Sequence, residues 1–130
     1  MYALDTNTLI CFFKGTGRVH DQLLATPPRE VAVPSVVVYE LEFGICKSSQ
    51  PKKRRAQLDE FLSFTGILPF DGAAAKTAAE IRAGLERTGS PIGPMDTLIA
   101  GIALAHGATL VTHNSREFGR VHGLKLVDWY

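Results

Sequence analysis

Short apolar runs alternate with longer helix-forming stretches along the whole of this chain, and that alternation narrows the fold more than any other feature of the sequence. Tyr2–Leu4 reads as a short buried strand, VAVP at 31–34 as a second, GILPF at 66–70 as a third, ATLVT at 108–112 as a fourth and LKLVDW at 124–129 as a fifth. Helical stretches fill the intervals. The first, capped by Thr6 or Asn7, runs to about Lys14, where Gly15 and Gly17 break it, and a second carries Val19, Leu23 and Leu24. Ser35 suits the N-cap of a third, with Val38, Leu41 and Ile45 at helical spacing; a fourth follows PKKRR and carries Leu58, Phe61 and Leu62. Asp71 caps an alanine-rich fifth that Gly89 closes, and Pro94 opens a sixth that ends at Gly107. NSREF adds one short turn of helix after the fourth strand. Strands separated by helices need crossover connections, so the expectation is an α/β fold with a parallel sheet and helices on both faces. No repeat or composition break marks a second unit, and 130 residues suit a single domain, 1–130, that buries roughly two-thirds of its unfolded surface.

In a parallel sheet the positions that follow strands share one edge, which gives the acids meaning. Asp5 sits where an apolar strand should be finishing. An aspartate there can simply cap the next helix, or it can face the crevice at the carboxyl ends of the strands, where open α/β sheets bind ligands. Glu40 lies in the second turn after the second strand, and Glu117 follows the fourth. Asp96, in the first turn of the helix opened by Gly93 and Pro94, can project into the same crevice. Glu42 competes with Glu40, because two positions apart on a helix point roughly 200° apart; Glu40 is preferred. Four carboxylates in one crevice repel, and a hard cation, magnesium or manganese rather than zinc, relieves the repulsion. An ion so held lowers the pKa of a bound water and orients a phosphodiester, so the chemistry indicated is hydrolysis of a phosphate ester. Asn7, Thr112 and Asn114 stand beside the acids as supporting polar groups, with Thr6.

The remaining features exclude other chemistries. Cys11 and Cys46 have no C-x-x-C partner and fall in apolar stretches, which reads as reduced, packed thiols of a cytoplasmic protein. No start resembling a leader and no long uncharged apolar run is present, so no membrane is expected. His20, His106, His113 and His122 lack metal spacing, although His113 stands between Thr112 and Asn114; Ser35 lacks a nucleophile-elbow context. The net charge of +1 does not advertise nucleic acid. Lys52, Lys53, Arg54 and Arg55, however, concentrate positive charge where it opposes a helix dipole, and an RNA backbone or an acidic partner would explain them.

The stretches LDTN at the start, SVVVYELEFGICKS, and IGPMDTLIAGIALAHGATLVTHNSREFGRVHGLKLVDW at the end together resemble the PIN-domain ribonucleases, specifically the VapC-type toxins of bacterial toxin–antitoxin pairs. The resemblance spans nearly the whole chain. It implies a three-layer α/β/α sandwich with a central parallel sheet and a Mg2+-dependent endoribonuclease, Mn2+ being an alternative ion. It further implies structured RNA such as tRNA as substrate, a cognate VapB-type antitoxin that occludes the site, and a homodimer. Residue by residue, Asp5, Glu40 and Asp96 occupy the family's three main acidic positions. Glu117 matches a fourth that is often an aspartate, and Thr112 and Asn114 match a Thr-x-Asn feature beside the site.

Other readings fare worse. Haloacid-dehalogenase-like phosphatases need a second aspartate two positions after the first, where this chain has Asn7. Receiver domains need a phosphoacceptor after the third strand and a late lysine. A catalytically inactive PIN fold serving as an RNA- or antitoxin-binding module would be signalled by loss of an acid, and all four positions carry one.

Overall fold

The computed structural model describes all 130 residues. β1 (Tyr2–Leu4) leads through Asp5 into α1 (Thr6–Lys14). The cap of α1 falls one residue earlier than expected, on Asp5, whose side chain accepts the N–H of Thr6 at 2.7 Å. α2 (Val19–Leu24) and a single 3-10 turn at Pro28–Glu30 lead to β2 (Val31–Pro34), buried at every residue. α3 (Ser35–Cys46) follows directly, with Pro34 in the capping position; the Ser35 hydroxyl instead accepts the N–H of Phe70. α4 spans Pro51–Phe64, so PKKRR forms the opening of the helix rather than a loop before it, because Pro51 is pre-set for the first helical position. β3 (Gly66–Leu68) and α5 (Gly72–Arg87) come next, the latter capped by Asp71 through the N–H of Ala74. α6 (Pro94–Ala105), β4 (Thr109–Val111), α7 (Ser115–Phe118) and β5 complete the chain. β5 is only Leu126–Val127, shorter than the apolar run around it.

The five strands form one sheet in the order β3-β2-β1-β4-β5, every pair parallel, and with the helices they make a three-layer α/β/α sandwich. After β1 the chain builds outward to β2 and β3, then returns to lay β4 on the other flank of β1. The order therefore reverses between β1 and β4, the place where a sheet of this kind opens a crevice at its carboxyl edge. Register fixes what faces that crevice: Leu4 pairs with Val111, so Asp5 and Thr112 emerge side by side.

Leu4, Leu9, Ile99, Ile102, Leu110 and Phe118 are fully buried between the layers, each contributing roughly 1.5–3 kcal/mol by leaving water. α6 is the most enclosed helix, with Thr97 and all five residues from Ile99 to Ala103 buried. It rests so closely on α5 that a Cβ at Gly101 would lie 2.6 Å from that of Ala78. Asp96 stands on the same helix, five residues upstream of this contact. Cys11 is partly buried and Cys46 is exposed, which corrects the expectation of two packed thiols: in the last turn of α3 Ile45 faces the core, and Cys46, about 100° further round, faces solvent. No helix is long and apolar enough to cross a membrane.

Candidate active site

Asp5 is almost completely buried, an unusual place for a carboxylate. Its backbone N–H donates to the Val111 carbonyl at 3.0 Å, continuing the β1–β4 ladder one residue past the strand. One carboxylate oxygen accepts the Thr6 N–H at 2.7 Å and the other accepts the Thr112 hydroxyl at 2.8 Å. Burial pushes its pKa above the ordinary value; the hydrogen bonds from Thr112 and Thr6 oppose this, and the neighbouring charge of Glu40 adds to it. Thr112 is itself buried, and its oxygen accepts the Asn114 N–H at 3.0 Å, so the turn after β4 is folded around the group that holds Asp5.

Glu40 and Glu42 separate as helix geometry requires. Glu40 reaches from α3 to α1, where Oε1 accepts the Thr6 hydroxyl at 2.7 Å. Glu42 points to α4, where Arg55 grips it with both terminal nitrogens and also approaches Asp59. The hydrogen bond from Arg55 holds the Glu42 carboxyl below its usual range, and the pair keeps the guanidinium charged. Of the basic segment, Lys52 and Lys53 are exposed and Arg54 is half-buried beside Gln57. Arg55, the fourth basic candidate, is paired with Glu42 and is still 43% exposed.

Asp96 and Glu117 approach from the other side. Asp96 stands in the first turn of α6, half-buried. Its pKa is pushed up to about 6, first by burial, then by the charges of Asp5, Glu117 and Glu40, with the close approach of the Glu117 carboxyl adding least. The Asn114 amide donates to Glu117 at 3.3 Å. Asn7 is exposed and makes no hydrogen bond to these acids. Four carboxylates from four separate stretches thus feel one another at a single sheet edge, with no lysine or arginine among the causes that set the Asp96 pKa.

Coupling is not yet ligation. As the side chains stand, no three His, Cys, Asp or Glu groups converge closely enough to share an ion. Asp5 is turned to Thr112 and Thr6, Glu40 to Thr6, and Glu117 to Asn114. The two observations measure different lengths: charges repel over many ångströms, whereas a magnesium ion needs oxygens at about 2.1 Å. The donor set fits a hard cation by its chemistry, all oxygen and no thiolate or imidazole. One contact had no signal in the sequence: the Thr8 hydroxyl donates to the Val111 carbonyl at 3.0 Å, tying α1 to the end of β4.

A PIN-domain family model matches residues 2–124. The tRNA(fMet)-specific endonuclease VapC of Shigella flexneri is 38% identical over 128 residues, covering 98% of this chain and 97% of its own. Ribonuclease VapC2 of Rickettsia felis is 38% identical over 133 residues, with 99% and 98% covered. Among solved structures, that of VapBC2 from Rickettsia felis bound to a DNA fragment from its promoter superposes with a TM-score of 0.92 at 35% identity, over 99% of this chain and 98% of the matched one.

Proposed function

The chain belongs to the PIN-domain family, and on that premise we propose that it is an endoribonuclease, the toxin of a toxin–antitoxin pair, which hydrolyses phosphodiester bonds in RNA at the crevice formed by Asp5, Glu40, Asp96 and Glu117. The observation that carries this reading is the placement of four acids from separate stretches at one sheet edge: Asp5 after β1, Glu40 reaching Thr6, Asp96 in the first turn of α6 and Glu117 after β4. A bound cation would relieve the repulsion within such a cluster. These four residues would hold Mg2+, with Mn2+ as an alternative, and the bound ion would supply a water acidic enough to attack phosphorus and a positive charge for the oxygen that leaves.

The chain's own groups prepare that site. Thr112 and Thr6 hold both oxygens of Asp5, favouring its charged form against burial. Thr6 does double service, its backbone fixing Asp5 and its hydroxyl fixing Glu40. Asn114 steers Glu117 from three residues away. Loading the site has to draw the long Glu40 and Glu117 side chains inward, since no three of the acids converge as they stand. Lys52, Lys53 and Arg54, with Arg55 where it is not held by Glu42, are the basic residues proposed to meet RNA. The relative from Shigella flexneri acts on tRNA(fMet), which makes tRNA the first substrate to test.

A VapB-type antitoxin is the proposed partner, because the matched solved structure is a VapBC assembly. A groove of about 180 Å3 lined by Ile10, Phe13, Leu41, Ile45 and Leu58 shares Glu40 with the crevice, so an apolar segment seated there would cover the site. Tyr39 and Phe43, one helical turn apart and exposed on α3, give a second copy an apolar face and support the homodimer. The direct test incubates the purified, antitoxin-free protein and its Asp5→Asn variant with total bacterial RNA in magnesium, manganese or EDTA, and maps new ends. Cuts made by the wild type alone, and only with metal, establish the reading; cuts that persist in EDTA or in Asp5→Asn refute it.

A further inference from the structure

Beside the four acids, on the β5 flank, stands a ring assembly that the proposed chemistry does not use. His113 lies in the turn after β4, directly between Thr112, which holds Asp5, and Asn114, which holds Glu117. Thr112 donates its N–H to the Val127 carbonyl at 2.9 Å, and this register sets Asp128 next to His113 at the carboxyl edge of the sheet. His113 Nδ1 is 2.8 Å from one Asp128 oxygen, and the other oxygen accepts the Tyr130 N–H at 2.9 Å. The Tyr130 ring stacks on the imidazole with centroids 4.3 Å apart and planes 29° apart. Tyr130 in turn lies over the α1–α2 turn, where Gly17 has φ +66 and any Cβ would come within 3.0 Å of the phenol ring.

Two stacked rings are thus locked by a carboxylate bridge and seated on a glycine, yet the His113 side chain remains 61% exposed. Burial raises the Asp128 pKa, but the Tyr130 N–H, His113 and the charge of Arg18 outweigh it, so the bridging group is held as a carboxylate. That fixes the proton on His113 Nδ1 and leaves Nε2 as the ring's free edge. A ring already locked loses little freedom when something stacks on it.

We infer that His113, mounted on Tyr130 and Asp128, is a stacking platform for an unpaired RNA base next to the bond that is cut. The inference rests on the ribonuclease reading above. Unpaired RNA is recognised by stacking its splayed bases on aromatic and histidine rings, and every base offers a π-face. The platform lies one residue from the groups that orient two of the acids, so a base held there places the adjoining phosphate at the crevice. Arg18, close enough for its charge to act on Asp128, is positioned for a neighbouring phosphate. His113 acts here by binding substrate, not by transferring a proton.

The test uses the full chain and a fluorescein-labelled single-stranded RNA decamer of mixed sequence. Binding is measured in EDTA and steady-state cleavage in magnesium, for wild type, His113→Ala, His113→Phe and Tyr130→Ala. Loss of one base stack weakens binding by roughly five- to a hundred-fold. His113→Ala is therefore expected to weaken binding about tenfold with the loss falling on KM, Tyr130→Ala to weaken it less, and His113→Phe, which keeps a ring, to stay within about threefold of wild type. Unchanged binding by His113→Ala, failure of His113→Phe to restore it, absence of any wild-type binding, or a loss confined to kcat would each overturn the platform. A wild type that binds but never cuts, with His113→Ala still about tenfold weaker, would instead sink the ribonuclease reading and leave the platform standing.

Discussion

Replacing Asp96 by asparagine should abolish cleavage and, in a chelator, make the protein more stable. The Asp96 pKa rises from 3.8 to about 6 on folding. At 1.36 kcal/mol for each pH unit this is worth at most about 3 kcal/mol. Asp96 is only half-buried, so solvent screening leaves about 1–2 kcal/mol. The direction follows from linkage. A carboxyl whose folded pKa is raised adds stability in full below about pH 3.8, and that contribution is lost as pH rises through about 6. Wild type in EDTA is therefore penalised at pH 7.5, and Asp96→Asn, with no charge to repel, escapes the penalty. Loss of a favourable charge at the N-terminus of α6 subtracts about 0.3–1 kcal/mol. The net gain at pH 7.5 is about 1 kcal/mol, or roughly 3–5 °C in Tm for a domain of this size. Thermal unfolding in EDTA at pH 7.5, 6 and 4 measures it, and the gap between variant and wild type should close by pH 4. Added magnesium should raise the Tm of wild type more than that of the variant. A variant less stable than wild type at every pH, by a constant amount, would show that the four acids do not repel one another and would remove the argument for a cation.

Glu40→Gln should lower cleavage by about a hundredfold or more while Glu42→Gln stays within about twofold, since Arg55 holds the second acid away from the crevice; comparison of initial rates on one RNA decides it. Thr112→Val removes a donor to a buried carboxylate, so it should cost about 1–3 kcal/mol in urea unfolding. The same change raises the Asp5 pKa further, and the acid limb of the pH–rate profile should move to higher pH. Gly101→Ala forces a methyl against Ala78 of α5; despite the better helix propensity of alanine, a net loss of about 1–2 kcal/mol is expected in thermal unfolding, and a stabilised variant would show that the two helices can separate freely.

Element order and sheet direction were legible because each strand is a short apolar run closed by a breaker, and parallel pairing follows from helices lying between strands. The caps were less legible. Asp5, Thr6 and Asn7 are all good N-caps, and only the reach of the β1–β4 ladder to residue 5 decides that Asp5 takes the role. PKKRR reads as a loop by charge, yet Pro51 starts the helix. The choice between Glu40 and Glu42 depends on where α4 lies against α3, since Arg55 selects Glu42, and no local pattern records that packing. The contact of His113 with Asp128 and Tyr130 was invisible for the same reason: it joins residues 15 and 17 positions apart through the β4–β5 register. Cys46 misled because an apolar neighbourhood in sequence ended on the solvent side of a helix.

β4 follows β1 by about a hundred residues, yet it is the direct neighbour of β1 at the centre of the sheet. Until it emerges from the ribosome, β1 has one open edge, Asp5 lacks the Thr112 hydroxyl and its ladder partner Val111, and Glu117 has not been made. A nascent chain that has exposed its first hundred residues therefore carries three of the four acids and no assembled crevice. The crevice is therefore a product of long-range closure: no segment of the chain that lacks residues 109–117 can hold Asp5 as the folded protein does.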